Sequence, residues 1–315
     1  MRPLPTLRQL RYLVAVAEYR HFGRAADDCL VTQSTLSAGI RELEEVLGVT
    51  LVSRNKRHVA LTPLGENIVR RAHALLRAAD QLVDAAHTGG RPLTGLLRLG
   101  VIPTVGPYLL PRVLPQLRRS YPDLRLYLRE EQTARVLDML GRGRIDGGII
   151  ALPYLTGELE TMLLGEDALL VACPKSHPFA SRRSIGAEEL TGQPLMLLED
   201  GHCLRNHALT ACRLLPGQAN EDLQATSLST LVQMVGGDLG LTLVPRLAVD
   251  VETRREPNIA VLPLADRPPT REIALVWRSE SARSRDLTLL GEMLRAGMAP
   301  EHVPTTEPDL SMTSR

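Results

Sequence analysis

The sequence predicts a small all-α winged helix-turn-helix segment followed by a larger α/β region. Three observations lead there. Through residues 6–62, apolar side chains recur at helical spacing around one helix with a polar face. From Leu96 onward, strand-like apolar runs alternate with helical periods, which implies a mostly parallel sheet built from βαβ units. Between the two, "TGGRPL" at 88–93 has the Gly and Pro content of a linker. A chain of 315 residues has ample length for two domains and at least one large core.

The first helix is read from "LRQLRYLVAVAEYR", where Leu7, Leu10, Leu13, Val14 and Ala17 keep helical spacing. "FGRAADDCL" adds a short second helix. The third, "VTQSTLSAGIRELEEVLG", begins at Thr32 as N-cap and stops at Gly48 as C-cap. Its apolar positions Leu36, Ile40, Leu43 and Leu47 leave Gln33, Ser34, Thr35, Ser37 and Arg41 on the other side, all able to hydrogen-bond. "LVSRNKRHVALT" then reads as a two-stranded wing with Arg54, Lys56, Arg57 and His58 at its tip, suited to phosphates. Each element alone fits an ordinary helical hairpin or a solvated loop. Their order points to DNA.

A long helix follows in "TPLGENIVRRAHALLRAADQLVDAAH". Ile68, Ala72, Leu75, Ala79, Leu82 and Ala86 form a heptad seam, read as a homodimer contact because helix-turn-helix proteins bind paired half-sites. Packing onto its own domain is the alternative. Beyond the linker, strands are predicted at "LLRLGVIP", "LRLYLREE", "DGGIIAL", "DALLVACP", "PLMLLED", "LTLVP" and "EIALVWR". Helices are predicted at "GPYLLPRVLPQLRRSYP", "TARVLDMLGRGRI", 203–215, 229–236 and 284–297.

Composition narrows the classes. Apolar content of 44% and charge of 23% suit a soluble globular chain, and a net charge of +1 makes any basic surface local. Lys56 and Lys175 are the only lysines among 37 basic residues, so a single Arg carries little weight. No apolar run approaches the length of a membrane span, and the N-terminus lacks the apolar stretch of a signal peptide. A cytoplasmic location is expected.

Four cysteines in a reducing compartment are expected as free thiols unless one pair is redox-active. In "EDGHCLRNHALTAC", 199–212, Cys203 and Cys212 stand nine positions apart. On an unbroken helix this is about 13.5 Å of rise and opposite faces, whereas a disulfide needs Cα atoms within about 7 Å. Either the thiols never meet, as two small buried hydrophobes, or their meeting takes the helix apart. Cys29 and Cys173 read as core thiols. No C-x-x-C occurs, the spacing of His202, Cys203, His207 and Cys212 is irregular for zinc, and no metal or cofactor is implied.

The stretch from "LRQLRYLVAVAEYRHFGRAADDCL" to "LTPLGE" resembles the LysR-type transcriptional regulators, and the likeness extends over about 6–298. It implies a winged helix-turn-helix (1–62), a dimerising linker helix (63–88), a hinge (89–94) and an effector domain (95–298) of the type-2 periplasmic-binding-protein fold. That fold has a ligand cleft between subdomain I (95–166 and 269–298) and subdomain II (167–268). The tail, 299–315, is Pro- and Thr-rich and expected to be disordered. The implied partners are double-stranded DNA, RNA polymerase and further copies of the chain, as homodimer and homotetramer, with no membrane.

Within the family, "MLLEDGHCLRNHALTAC", "GVIPTVGPYLLP", "EEQT" and "ATSLSTLVQMVGGDLGLTLVP" are similar to hydrogen-peroxide-sensing members. The resemblance implies Cys203 as the peroxide-reactive thiol, Cys212 as the thiol that resolves it, Thr104, Thr133 and His202 around the peroxide, and Arg271 close to the thiolate. Asp200 as N-cap would place Cys203 at the third helical position, where free amides and the helix dipole favour an anion. "RNHA" departs from the expected acid and Gln after Arg205, which puts redox potential and rate in doubt. Two other readings remain at this point: a regulator sensing a small organic anion in the cleft, and a thiol peroxidase that turns over. The DNA-binding segment argues against the peroxidase.

Overall fold

The computed structural model describes residues 3–55, 58–88, 91–212, 224–265 and 269–299. Helix α1 (Leu7–Tyr19) starts at a capping box: Thr6 Oγ1 accepts from the Gln9 amide, and Gln9 Oε1 accepts from the Thr6 amide. Its buried face is Leu10, Tyr12, Leu13, Ala15 and Val16, while Leu7 is exposed, so the buried stripe is rotated from the predicted one. Helices α2 (Phe22–Asp28) and α3 (Gln33–Leu47) pack against it. A Cβ at Gly39 would fall 2.7 Å from the Tyr12 ring, so this residue must be small for α1 and α3 to approach. Thr32 caps α3 by accepting from the Thr35 amide, and Gly48 ends it at φ +69, both as expected. Strands β1 (Val52–Asn55) and β2 (His58–Leu61) pair antiparallel as the wing. Lys56 and Arg57 lie outside the described residues, as does the tail from 300.

Helix α4 (Pro63–Thr88) spans the predicted linker segment. Its seam divides in two. Ala72 is buried and Ile68 partly buried in the DNA-binding core, whereas Leu75 and Leu82 are 53% and 73% exposed, with Val83 beside them at 56%. The first half therefore packs onto its own domain, and of the second half Leu82 and Val83 are exposed while Arg77 and Val83 line a cavity with Leu96, Arg98 and Arg283 of the α/β region; the side chain of Ala86 lies outside the described residues.

The α/β region begins with β3 (Gly95–Val101), α5 (Gly106–Ser120), β4 (Leu124–Glu130), α6 (Thr133–Gly141) and β5 (Gly147–Leu152). There β3 pairs parallel with both β4 and β5, as predicted. The 16-residue strand β6 (Leu159–Pro174) follows, twice as long as its predicted piece "DALLVACP". Next come β7 (Leu197–Leu198), α7 (Cys203–Ala211), β8 (Gln224–Ala225), α8 (Leu228–Gly236), β9 (Thr242–Pro245), α9 (Arg246–Arg255), β10 (Ile259–Pro263), β11 (Thr270–Arg278) and α10 (Ser284–Met298). The mostly parallel sheet needs correction: β11 runs antiparallel to β5 and β6, and β9 and β10 run antiparallel to β6. Long β6 causes this, because its first half pairs with β11 and its second half lies between β9 and β10.

Three cores line this sheet. The first gathers Leu97, Leu99, Ile149, Ile273, Leu275 and Leu290. Along the second half of β6 the side chains alternate, as strand geometry requires. Leu170 and Ala172 enter a second core, and Val171 and Cys173 a third. Cys173 is fully buried, a core thiol as read from sequence.

Candidate redox and DNA-contact sites

Helix α7 touches all three cores within nine residues. Cys203 packs in the first, Leu204 in the second, and Ala208 and Leu209 in the third, where Cys212 follows as C-cap. All four cysteines are free thiols, and Cys203 and Cys212 are buried. The two thus stand at opposite ends of a short helix, in different hydrophobic surroundings. Burial raises the Cys212 thiol from 9.0 to about 11, so it is protonated at neutral pH.

The helix starts later than predicted. Its N-cap is His202, not Asp200, and Cys203 occupies the first helical position, not the third. Two residues impose this. Gly201 has φ +92, a left-handed conformation that no first helical turn can contain, and a Cβ there would strike the Gln132 side chain. The Asp200 carboxylate is engaged by Arg205 Nε at 2.8 Å instead of capping the helix. Cys203 still lies in the first turn, where unpaired amides and the dipole act. Burial lowers the pKa of His202, partly opposed by Glu199, and keeps the ring neutral at pH 7.

Thr104 and Thr133 are buried, at the β3–α5 connection and the first turn of α6. Gln132, the residue before Thr133, donates to the Asp200 carbonyl at 3.4 Å and so joins the start of α6 to the loop entering α7. Thr133 Oγ1 is buried with no hydrogen-bond partner among the described residues. Thr104 Oγ1 accepts from Arg271 Nη1 at 2.8 Å, which leaves its own proton free to donate.

Arg271, expected close to the thiolate, is held in an ion pair. It is fully buried, and its Nε and Nη2 donate to Asp167 Oδ2 at 3.1 and 2.9 Å. Nη2 also reaches the Thr104 carbonyl at 2.9 Å. Asp167 pairs with the guanidinium, so Arg271 organises the threonine corner and is not a lone counter-charge for a thiolate. Sequence reading overlooked Asp167, whose only signal was an acidic residue at the head of the apolar run "ALLVAC".

His207 lies in the "RNHA" departure. Its Nε2 lies 3.1 Å from the Leu152 carbonyl at the end of β5, and its Nδ1 is buried without a partner among the described residues. Desolvation, reinforced by Arg271, lowers its pKa.

In the N-terminal segment, Thr32, Gln33, Ser34, Thr35 and Arg41 are exposed along one end and face of α3, and Ser37 is half-buried. The Thr32 hydroxyl bonds those of Ser34 and Thr35 at 2.9 and 2.8 Å. Leu36, Ile40 and Leu43 are fully buried behind them. Arg54 lies on β1 of the wing.

The chain matches two family descriptions: a bacterial regulatory helix-turn-helix protein of the lysR family over residues 7–66, and the LysR substrate binding domain over 90–299. It is 43% identical over 276 residues to a "Hydrogen peroxide-inducible genes activator" of Haemophilus influenzae, covering 87% of this chain and 91% of that one. A full-length OxyR of Pseudomonas aeruginosa with a cysteine-to-aspartate substitution superposes with a TM-score of 0.76 at 38% identity, covering 93% and 98%. A hydrogen-peroxide-bound cysteine-to-serine mutant of OxyR from Corynebacterium glutamicum gives 0.65 at 36% identity, covering 94% of each chain.

Proposed function

Because this chain belongs to the LysR family of helix-turn-helix regulators, we propose that it is a peroxide-sensing DNA-binding transcriptional regulator switched by a reversible Cys203–Cys212 disulfide. The observation that carries the reading is the placement of two free thiols in separate cores at the two ends of α7. Names of the relatives, which concern hydrogen-peroxide-inducible activation and OxyR, support the same class.

The Cys203 sulfur attacks one peroxide oxygen, the O–O bond breaks, and the departing oxygen leaves as water, giving a sulfenic acid. Thr104, Thr133 and His202 hold the peroxide, a small molecule that both donates and accepts hydrogen bonds. The Cys212 sulfur then displaces a second water from the sulfenic acid and forms the disulfide. Since an intact α7 separates the sulfurs by its whole length, this second step requires the helix to unwind and Cys203, Cys212 or both to leave their cores. A loop of about ten residues, once closed, restrains the unwound form by a few kcal/mol, enough to move a two-state equilibrium.

The rest of the reading follows the family plan. Residues 1–62 bind double-stranded DNA, with Thr32 at the DNA contact beside Gln33, Ser34, Thr35 and Ser37 toward base edges and Arg41, Arg54, Lys56 and Arg57 toward phosphates. The 63–88 helix dimerises the chain, 89–94 is the hinge, and 95–298 senses, with subdomains at 95–166 plus 269–298 and at 167–268. Dimers assemble as a homotetramer, contact RNA polymerase and act in the cytoplasm. The small-anion reading loses ground, because the buried Arg271 is already occupied by Asp167 and Thr104.

Mass-spectrometric mapping after brief peroxide exposure tests the proposal. The expected product is a Cys203–Cys212 linked peptide pair, formed in parallel with altered DNA binding. Altered DNA binding with both thiols still reduced would remove this switch, and a response to small acids but not to peroxide would favour the anion sensor.

A further inference from the structure

Cys203 and His207 stand one turn apart on the same face of α7, since residues four apart on a helix are neighbours. The surroundings agree. His207 bonds Leu152, and Leu152 packs against the core that contains Cys203. Leu152 is paired in register with Glu272, the residue after Arg271, and the Arg271 charge acts on the His207 ring, so His207 stands near the guanidinium that holds Thr104.

The hydrogen bond to Leu152 determines the ring's tautomer. A carbonyl oxygen only accepts, so Nε2 carries the proton and donates it. In a neutral ring Nδ1 is then a bare acceptor, and it is buried without a partner among the described residues. Desolvation and Arg271 depress the His207 pKa, so the ring stays neutral and this lone pair stays available at physiological pH. A buried acceptor without a partner is costly unless something fills it. Thr133 Oγ1 is likewise buried without a partner among the described residues, on the first turn of α6, which Gln132 ties to the loop entering α7.

We propose that His207 Nδ1 is a further peroxide contact, accepting an O–H of the hydrogen peroxide that Thr133 and Thr104 also hold beside Cys203. Hydrogen peroxide has two O–H donors, and the threonine hydroxyls can satisfy its lone pairs. His207 adds a group that can only accept, and thereby orients one peroxide O–H. The inference rests on the peroxide-sensing reading and adds a residue to that site. In the reaction the O–O bond breaks as the S–O bond forms, and the thiol proton ends on the departing oxygen as water, so His207 gains no net proton.

The test uses the full-length chain in a Cys212→Ser background, where a sulfenic acid at Cys203 cannot proceed to the intramolecular disulfide. Two rates are measured at Cys203: sulfenic acid formation with hydrogen peroxide, and alkylation by iodoacetamide, which needs no hydrogen-bonded peroxide. His207→Leu should react about tenfold more slowly with peroxide, the worth of one buried hydrogen bond, with alkylation changed less than about twofold. His207→Gln, whose amide can donate to Leu152 and accept through Oε1, should recover most of the peroxide rate. An unchanged peroxide rate in His207→Leu overturns the proposal. So does an equal loss in both reactions, which would mean a structural or thiolate-charge role, or a His207→Gln as slow as His207→Leu. If the parent Cys212→Ser chain forms no sulfenic acid at all, peroxide sensing itself fails and this inference falls with it.

Discussion

Asp167 and Arg271 face each other directly across β6 and β11 and close a buried ion pair, with Nη2 2.9 Å from Oδ2 and neither side chain accessible to solvent. The pair lies where the first core gives way to the second: Leu164 and Ile273 belong to one, Leu169 to the other. Asp167 Oδ1 also accepts from the Leu247 amide in the first turn of α9. One carboxylate thereby joins the threonine corner, the crossing strands and α9.

Removing one member should be far more damaging than removing both. Asp167→Ala leaves a guanidinium charge buried and an α9 amide without its acceptor, and should destabilise the chain by about 3–5 kcal/mol. Pairing it with Arg271→Met should recover part of that loss, since no lone charge remains. Urea unfolding of the reduced proteins compares the two, and equal losses would deny the pair this role.

The two halves of α4 predict opposite outcomes for the same kind of substitution. Leu82→Asp changes an exposed residue of the seam, and should shift dimer toward monomer while leaving the melting temperature of the DNA-binding domain nearly unchanged. Ala72→Asp buries a charge beside Val69 and should unfold that domain. Light scattering with circular dichroism separates the cases; an unchanged mass in Leu82→Asp would take the dimer contact elsewhere.

On DNA, Gln33 and Arg41 should differ in kind. Gln33 is exposed at the start of α3, so Gln33→Ala should relax base preference, at a cost of about 1–3 kcal/mol on the preferred site. Arg41→Ala should weaken all sequences similarly and reduce the salt slope by about one. Binding isotherms over a salt series on preferred and scrambled sites make the distinction.

What the sequence disclosed follows from periodicity. Helix α3 was legible because Leu36, Ile40 and Leu43 mark its buried face and Thr32 and Gly48 mark its ends. Helix α9, "RLAVDVETRR", escaped notice because half its positions are charged and only Leu247, Ala248 and Glu252 are buried, the last as acceptor for Tyr108 and Ser229. Strand β10 and the first half of β6 were missed for a similar reason: both mix exposed and buried residues without regular alternation. At the redox site, the cysteines and threonines could be named from motif likeness. Neither Asp167 opposite Arg271 nor Leu152 beside His207 could be, because both contacts join residues distant in the chain. The late start of α7 depends on Gly201 and Arg205, whose conformations only the folded loop reveals.

The switch has a consequence that can be read in stability against pH before any oxidant is added. The folded-state pKa of Cys212 lies above the value of an ordinary thiol, about 11 against 9.0, because the buried site disfavours the thiolate. A group raised in this way contributes stability that is fully present below the unfolded pKa and lost as pH rises through the folded one. The reduced protein should therefore lose stability between about pH 9 and 11 through this residue, as unfolding releases a thiol that ionises. Cys212→Ala should remove that component and leave the acid side unchanged. Under peroxide the same residue should behave as the second thiol only. Cys212→Ser should accumulate a sulfenic acid at Cys203 without a Cys203–Cys212 disulfide, while Cys203→Ser should give neither product. Urea unfolding at stepped pH, followed by sulfenic-acid trapping and disulfide mapping over time, reads both halves. A wild-type stability curve that keeps its Cys212 component intact through pH 11 would show that this thiol is not held in the protonated form by its core. A persistent DNA-binding response in peroxide-treated Cys203→Ser would move the switch to another thiol, with the buried Cys173 the next to map.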